Sequence, residues 1–563
     1  MDEALQVLTE QFWDLSMSQS PVWASMLGDH RFDEELPDIS EEGEALQAEE
    51  MARMLERARA VDPSQLVDED VVTRDVLCAE AENRVLELST RAHEFTVSAA
   101  FGVQTQLLQV PLFVSVTEPE HADALVVRCR RSATFLSDAE DRLRAGVGRG
   151  RTPPQVAVEQ TVRMIDEYLA TDLAADPFLG VAAPERWSSA EAAAWREALE
   201  HAVADDLRPA LYSYRDVLAH EIAPHARPPE RSGVIWLPDG ESVYASSVKV
   251  HTSLELAGDE VHQIGLDGIA ALEDEYRELA GRALGSTDLA QVFARLRDDT
   301  SLRFTTREEV RAAAESAVER ATAALPAWFG RIPRSGCEVR EMAEFEEKDG
   351  TIAYYQPPTI DGSRPGIYYI NTYAPETRTR FEAEALAFHE ALPGHHLQLG
   401  VAQELDHLPL FRRNAIANAY VEGWALYTER LADEMGLYSG DTERLGMLSF
   451  DSLRAGRLVV DSGLHHAGWS RQRAIDYLRD NSPQPHNVID NEIDRYIAWP
   501  GQALGYKIGQ REILRLRAKA EERLGDAFDI RAFHDVVLGS GPLPLTTLAA
   551  MVTGWLARYG RGV

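Results

Sequence analysis

The sequence is poor in cysteine and has no long apolar run. Its three cysteines, Cys78, Cys129 and Cys337, lie far apart among 563 residues, so their spacing suits neither a disulfide framework nor a metal site. This usage predicts a reducing, cytoplasmic environment. No stretch approaches the roughly 18 apolar residues of a membrane span. Residues 1–6 lack the basic and apolar regions of a secretory signal, and we expect no membrane partner.

Positive charge is also scarce. The chain has 56 Lys and Arg residues against 93 Asp and Glu residues, which gives a formal net charge of −37. A polyanion of this size disfavours nucleic acid and anionic membranes as partners. Most of the acidic residues are expected to form a solvated surface that keeps the protein soluble.

The apolar pattern predicts a mainly α-helical protein. Windows such as 41–60 and 187–221 are rich in Ala, Leu, Glu and Arg, and their apolar residues recur at three- and four-residue spacing. The chain is too long for one ordinary core, so we expect two lobes. The proline-rich run 224–229 indicates a boundary between an N-terminal helical lobe, 1–229, and a C-terminal lobe, 230–563.

Few segments have the character of β-strands. Residues 233–237, 351–355 and 366–373 carry β-branched and aromatic residues, and they predict a small sheet. The loop 361–366 leads into an extended run, 367–373. This run is either an edge strand that pairs with an extended substrate or a structural hairpin that covers the helices.

The segment 388–396, FHEALPGHH, combines three histidines and a carboxylate. A catalytic zinc site uses imidazole nitrogens, often with an oxygen ligand, and a neighbouring glutamate serves as the general base. His389 and Glu390 end a predicted helix with a buried face formed by Phe381, Ala385, Phe388 and Leu392. In the H-E-x-x-H motif the second histidine stands four positions after the first, but Pro393 occupies that position here.

The remaining ligands must come from beyond this proline. Because Pro393 and Gly394 interrupt the helix, either His395 or His396 could share a metal with His389. A helix end with histidines near its carbonyl groups is the non-functional alternative. Glu422 is the best candidate for a third ligand, and Glu429 lies on the same helical face, where it could orient a histidine. Two solvated glutamates are the alternative.

A later helix, predicted over 445–466, carries a polar stripe. Arg454, Asp461 and His465 share one face, with Arg457 alongside. This stripe is either a buried ion network or part of a cleft wall. In a cleft wall, His465 could stabilise an oxyanion and an arginine could bind a substrate carboxylate.

Four polar residues further on are candidates for substrate contact. Tyr496 precedes a turn, Gln502 and Tyr506 share a helical face, and Lys507 follows them. Each tyrosine alone is equally well explained as a core residue with a satisfied hydroxyl group.

Four stretches, 388–398, 420–429, 460–469 and 496–509, resemble the bacterial family labelled domain of unknown function 885. That family is similar in fold to carboxypeptidase Taq-like and thimet oligopeptidase-like zinc peptidases, which are mostly helical with a deep cleft. The resemblance implies two helical lobes around a cleft, with the small β-sheet near the metal. It implies His389, His395 and Glu422 as zinc ligands and Glu390 as the base, with His396 as the rival of His395. It also implies that Tyr506 donates to the oxyanion, with Tyr496 in reserve.

These observations lead to a hypothesis of one zinc ion per chain and hydrolysis of short peptides. The fold resemblance suggests carboxypeptidase action, which requires a cation for the terminal carboxylate; the candidates are Arg364, Arg454, Arg457 and Lys507. Tyr496 and Gln502 complete the predicted substrate contacts. The alternatives are a zinc amidohydrolase of a non-peptide amide and a peptide-binding protein without catalysis. Only the catalytic hypotheses predict that Glu390→Gln lowers a reaction rate.

Overall fold

The computed structural model describes residues 1–114, 116–342, 347, 351–358, 364–415 and 417–559. Over these residues the chain is mainly α-helical, as the apolar periodicity predicts. No helix within the described ranges is long and apolar enough to cross a membrane. All three cysteines are unpaired.

The first helices occupy residues 3–217. They are α1 Glu3–Gln19, α2 Pro21–Leu27, α3 Glu41–Ala60, α4 Asp68–Ser89, α5 Val103–Leu108, α6 Val110–Phe113, α7 Pro119–Gly148, α8 Gln155–Ala170, α9 Ser189–Ala202 and α10 Arg208–Val217. The predicted helix over 41–60 is confirmed, and Ser40 caps it by accepting a hydrogen bond from the Gly43 N–H. The predicted helix over 187–221 is confirmed as α9 and α10. A π-helical turn joins them, and a second one extends α10 to Ile222.

The later helices contain the predicted site. They are α11 Gly240–Thr252, α12 Gly258–Ala283, α13 Leu289–Asp298, α14 Arg307–Trp328, α15 Ala383–Glu390, α16 His395–Gln403, α17 Leu410–Arg413, α18 Asn418–Glu434, α19 Asp441–His465, α20 Arg471–Asn481, α21 His486–Ala498, α22 Gly505–Leu524, α23 Ile530–Leu538 and α24 Leu545–Tyr559. Helix α12 packs along α19, and α18 packs along α22. A Cβ atom on Gly423 would overlap the backbone of Gly509, so glycine at both positions permits the close approach of α18 and α22.

One small sheet accompanies these helices. Its strands are β1 Cys337–Glu341, β2 Ala353–Gln356 and β3 Gly366–Ile370. Strand β3 lies in the centre, parallel to β1 and antiparallel to β2. Strands are therefore confirmed within the predicted runs 351–355 and 366–373, but β2 begins only at Ala353 and β3 ends at Ile370. The prediction of an edge strand over 367–373 is wrong, because β1 and β2 pair with both sides of β3. Residues 361–363 of the predicted loop lie outside the described residues.

The strand predicted over 233–237 is wrong. Residues Val234–Trp236 form a short 3₁₀-helical turn against the C-terminal end of α19. The backbone N–H of Val234 donates to Nδ1 of His465 at 3.1 Å, so this donor is used by a side chain instead of a neighbouring strand.

Several apolar clusters form the interior. The largest combines residues from 5–95 with residues from 234–556, and it includes the buried face of α15 at Ala387 and Phe388. A second cluster is formed by Ile39 and by residues from 97–222. Two smaller clusters surround α19, one with α12 and α13 and the other with α20 and α21. Helices α15, α18, α19 and α22 are thus anchored in the core. The division into lobes at residue 229 stays a prediction.

Candidate metal centre

Two histidines and a glutamate converge where α15, α16 and α18 meet. One ligand atom from each of His389, His395 and Glu422 lies within 4.8 Å of the others. Oε2 of Glu422 is 3.7 Å from Nε2 of His389 and 3.5 Å from Nε2 of His395. The two imidazole rings are nearly perpendicular, with centroids 5.0 Å apart. Among the residues that the structure describes, Oε2 of Glu422 is buried without a hydrogen-bond donor.

The turn between α15 and α16 brings His395 back to His389. Helix α15 ends at Glu390, and the Leu392–Pro393 peptide bond is cis. A Cβ atom on Gly394 would overlap the carbonyl oxygen of His389, so only glycine lets the chain fold this closely over the helix end. The indole N–H of Trp424 donates to the carbonyl oxygen of Pro393 at 3.1 Å. In an H-E-x-x-H motif, one continuous helix brings the two histidines together. Here a tight turn over residues 391–394 does so.

Helix α18 supplies a second carboxylate that holds His389. Oε1 of Glu429 lies 2.8 Å from Nδ1 of His389, and the Glu429 side chain is fully buried. Glu429 follows Glu422 by seven positions, which is about two helical turns, so both carboxylates face α15. With Nδ1 donating to Glu429, Nε2 of His389 is left as the nitrogen that can ligate a metal.

The site carries negative charge suited to a cation. Burial by itself lowers the pKa of His389, but the carboxylates of Glu422 and Glu429 outweigh burial and raise this pKa to about 9. Burial would raise the pKa of Glu422, but His389 and His395 hold that pKa well below its ordinary value. Two histidines and one carboxylate oxygen are also the ligand set of a common class of catalytic zinc site.

His396 turns toward the sheet instead of toward His389. Its Nδ1 lies 2.9 Å from the hydroxyl group of Tyr355 on β2, and its Nε2 lies 3.1 Å from the carbonyl oxygen of Ser335. Burial lowers the pKa of His396 to about 4, so the ring is neutral. Both nitrogens of the rival histidine are therefore engaged by the protein.

The three converging residues open into a cleft of about 1710 Å³. Glu390 and Tyr506 also line it, and the Tyr506 ring lies 6.4 Å from the His389 ring at an interplanar angle of 19°. Burial raises the pKa of Tyr506, so its hydroxyl group stays protonated and can donate a hydrogen bond. Residues 351–355, which include most of β2, form another part of the cleft wall.

Arginine side chains line the cleft beside Tyr506. The guanidinium carbons of Arg454 and Arg457 lie 5.7 and 4.4 Å from the centre of the Tyr506 ring. Nη2 of Arg457 pairs with Glu492 at 2.6 Å. Arg495 also pairs with Glu492, at 3.1 Å, and its Nη1 donates to Oε1 of Gln502 at 2.5 Å. Gln502 thereby lines the cleft while holding an arginine.

Other predicted contacts lie outside the described lining of this cleft. Nδ1 of His465 accepts from Val234, and its Nε2 lies 2.9 Å from the carbonyl oxygen of Tyr496; burial lowers the pKa of His465 to about 4. The hydroxyl group of Tyr496 is held between Arg457 and Glu492. The structure therefore brings neither His465 nor Tyr496 to the three converging residues.

Two of the predicted cations are also placed elsewhere. Nζ of Lys507 pairs with Asp451 and donates to Oε1 of Gln510 at 2.8 Å. Nη2 of Arg364 donates to the carbonyl oxygen of Pro357 at 2.8 Å. Neither cation belongs to the described lining of the cleft.

Sequence reasoning missed Glu492 and Arg495. Both lie on α21 within one helical turn of Tyr496, so the i, i+4 spacing of Glu492 and Tyr496 was a readable signal. It indicated that the tyrosine hydroxyl group could be held by its own helix.

Comparison with known proteins places this geometry in context. Residues 21–552 match the family model described as "Bacterial protein of unknown function (DUF885)". A crystal structure of a candidate lipoprotein from Colwellia psychrerythraea is 27% identical, with 99% of each chain covered and a TM-score of 0.91. The structure of a candidate lipoprotein of unknown function from Shewanella oneidensis is 18% identical. This match covers 98% of this chain and 99% of the Shewanella chain, and its TM-score of 0.77 shows a similar fold. No curated protein sequence matches significantly.

Proposed function

The chain belongs to the DUF885 family of bacterial proteins of unknown function, and we propose that it is a zinc-dependent peptidase of short peptides. The observation that carries this proposal is the convergence of His389, His395 and Glu422 at one wall of the large cleft. The buried, donor-free Oε2 of Glu422 supports a cation at this point, because a buried anionic oxygen needs compensation.

Four residues would hold and orient the metal. His389, His395 and Glu422 are the proposed ligands, and Glu429 fixes the tautomer of His389. Zinc in such a site polarises the scissile carbonyl group and lowers the pKa of water. His396 is assigned a structural role because Tyr355 and Ser335 engage both of its nitrogens.

The chain's own residues manage the proton and the developing negative charge. Glu390 takes a proton from the attacking water and passes it to the leaving amine. The peptide C–N bond breaks, the hydroxyl of the water joins the carbonyl carbon, and the released amine carries the proton. The hydroxyl group of Tyr506 donates a hydrogen bond to the oxyanion that forms on the carbonyl oxygen.

The cleft supports a short, extended substrate. We propose that the cleft lies between two helical lobes and that β2 forms the wall that pairs with the backbone of the peptide. Strand β2 is an edge of the described sheet, and residues 351–355 line the cleft. Addition of a peptide to a sheet edge is a general recognition mode. The net charge of −37 argues against nucleic acid as a partner, and a cytoplasmic location stays part of the proposal.

Zinc analysis tests the metal site. Wild-type protein and the His396→Ala variant are expected to contain about one zinc per chain. His389→Ala and Glu422→Ala should lose it, with circular dichroism verifying that each variant is folded. Wild type that holds no stoichiometric zinc, even after zinc is added back, would exclude the metallopeptidase.

A substrate panel then tests the chemistry. Short peptides and non-peptide acyl amides are supplied to wild type and to Glu390→Gln, and released amines are measured. We expect peptide hydrolysis that falls about 10²–10⁴-fold in Glu390→Gln while zinc is retained. Hydrolysis of acyl amides alone would replace the peptidase with an amidohydrolase. Peptide binding that is equal in both proteins, with no hydrolysis, would indicate a binding protein.

A further inference from the structure

One arginine in the cleft wall is buried without a counter-ion among the described residues. Arg454 is 7% exposed and lines the same cleft as His389. Its Nε and Nη1 groups are buried and have no acceptor among the residues that the structure describes. We propose that Arg454 binds the C-terminal carboxylate of the substrate, an inference that rests on the proposed function. The protein would then be an exopeptidase that acts from the carboxyl end.

The surrounding charges leave this arginine uncompensated. Arg457 and Arg495 both pair with Glu492, so one carboxylate serves two guanidinium groups and Arg454 adds a third. Burial would raise the pKa of Glu492, but Arg457 and Arg495 hold that pKa well below its ordinary value. The negative charge of Glu492 is therefore already balanced by these two arginines. Nη1 of Arg457 also lacks a described acceptor. This end of the cleft therefore has an excess of positive charge.

Such an excess is costly unless a ligand compensates it. A buried charge without a partner is strongly unfavourable, and a carboxylate that accepts from a guanidinium removes the penalty while forming charge-assisted hydrogen bonds. In a chain of net charge −37, an arginine could pair with one of many acidic residues. The packing of Arg454 against Phe450 and Tyr506, with guanidinium-to-ring distances of 4.6 and 5.7 Å, instead holds its charge at the cleft.

The position of the arginine relative to the metal ligands agrees with this role. The Tyr506 ring neighbours both the arginine and a proposed metal ligand: its centre lies 5.7 Å from the guanidinium carbon of Arg454 and 6.4 Å from the centre of the His389 ring. One extended residue spans at most about 3.6 Å. These two distances limit the separation of the Arg454 guanidinium carbon from the centre of the His389 ring to about 12 Å, which about three extended residues can span. A carboxylate at Arg454 therefore places one of the last few peptide bonds of the substrate beside His389.

The other cations predicted for this role have partners. Lys507 pairs with Asp451, Arg457 pairs with Glu492, and Arg364 donates to backbone carbonyl groups. Of the four predicted cations, Arg454 is therefore the one for which the described part of the chain supplies no partner at Nε or Nη1.

Binding calorimetry separates this proposal from the peptidase chemistry. The protein is the full chain carrying Glu390→Gln, as purified, so that turnover does not consume the probe. The probes are N-benzoylglycyl-phenylalanine and its C-terminal amide, which differ in the terminal charge. We expect the free acid to bind about 10–100-fold more tightly than the amide, the usual value of a hydrogen bond to a charged group.

Substitution of the arginine identifies the source of that preference. Arg454→Gln should bind both probes with the affinity of the amide, whereas Arg454→Lys should keep part of the preference because it keeps the charge. The control Arg511→Gln makes the same charge change at an exposed position of α22 and should keep the full preference. If Arg454→Gln does not fold, Arg454→Lys decides the question: a preference for the free acid as large as that of the unsubstituted arginine would contradict recognition of the carboxylate by the guanidinium group.

The outcomes distinguish the two proposals. Equal affinity of the acid and the amide, no binding of either at millimolar concentration, or a preference that survives Arg454→Gln would overturn the role of Arg454. A clear preference in protein that contains no zinc and hydrolyses no peptide would keep the carboxylate site and remove the peptidase.

Discussion

Replacement of Glu429 tests whether a buried carboxylate organises the proposed metal centre. Glu429 is fully buried, and its Oε1 lies 2.8 Å from Nδ1 of His389. Its Oε2 has no donor among the described residues. The carboxylate therefore has one hydrogen-bonded partner, which is a proposed zinc ligand. We expect Glu429→Gln and Glu429→Ala to weaken zinc binding while all three proposed ligands remain in place.

The magnitude follows from what each substitution removes. Loss of a group that orients a metal-binding histidine costs about 10–100-fold in metal affinity, which is about 1.4–2.8 kcal/mol. Glutamine keeps an acceptor for Nδ1 of His389 but removes the negative charge, so Glu429→Gln should lie at the lower end of this range. Alanine leaves the buried N–H of His389 without an acceptor, so Glu429→Ala should lie at the upper end.

Competition with a chromophoric chelator of known zinc affinity measures the effect. Glu434→Gln on the same helix is the matched control, because Glu434 pairs with Arg517 at the surface and does not contact the site. Its zinc affinity should equal that of wild type. If Glu429→Gln and Glu429→Ala both bind zinc as tightly as this control, Glu429 does not organise the centre. The assignment of Nε2 of His389 as the ligating atom would then fail as well.

Two further predictions concern the oxyanion and the helix packing. Tyr506→Phe should retain zinc and lower the peptidase turnover about 10²–10³-fold, the usual cost of losing one oxyanion donor; steady-state kinetics with unchanged turnover would refute that role. Gly423→Ala should lower the free energy of unfolding by about 1–3 kcal/mol, because its Cβ would overlap the backbone of Gly509. Urea denaturation measures this loss, with Gly554→Ala as the control because the space around Gly554 is open. Equal stability of the two variants would contradict the close contact of α18 and α22.

Local patterns account for the features that could be predicted from the sequence. The helices follow from apolar spacing, as α3 over Glu41–Ala60 shows, because each helix buries one face of its own segment. The contact of Glu429 with His389 follows from the same periodicity, since residues 422 and 429 share a helical face. The prediction that His395 or His396 lies near His389 follows from the few residues that separate them in the sequence.

Features that depend on pairing between distant segments could not be predicted in this way. The place of β3 in the centre of the sheet depends on β1, whose strand character the sequence pattern did not indicate. The sequence pattern predicts the helical face on which His465 lies. It does not show that the turn at Val234 packs against this face and donates its backbone N–H to Nδ1 of His465. Which arginine lacks a counter-ion depends on where Glu492 lies, and a single helix does not determine that.

The largest core has a consequence for how the chain folds. It includes Leu5, Leu8 and Phe12 of the first helix and Val552 and Trp555 of the last helix. Within it, α4 over Asp68–Ser89 contacts α24 over Leu545–Tyr559, at the opposite end of the 563-residue sequence. Contacts of such long sequence separation form late and slowly, because the intervening chain must close a large loop first. On the ribosome, α4 must therefore wait for α24, which emerges last, whereas α1 can pack on α3 and α4 as soon as they are made. We expect chaperones to engage the nascent chain through the exposed apolar face of α4, and the proposed metal site to become rigid only after synthesis is complete.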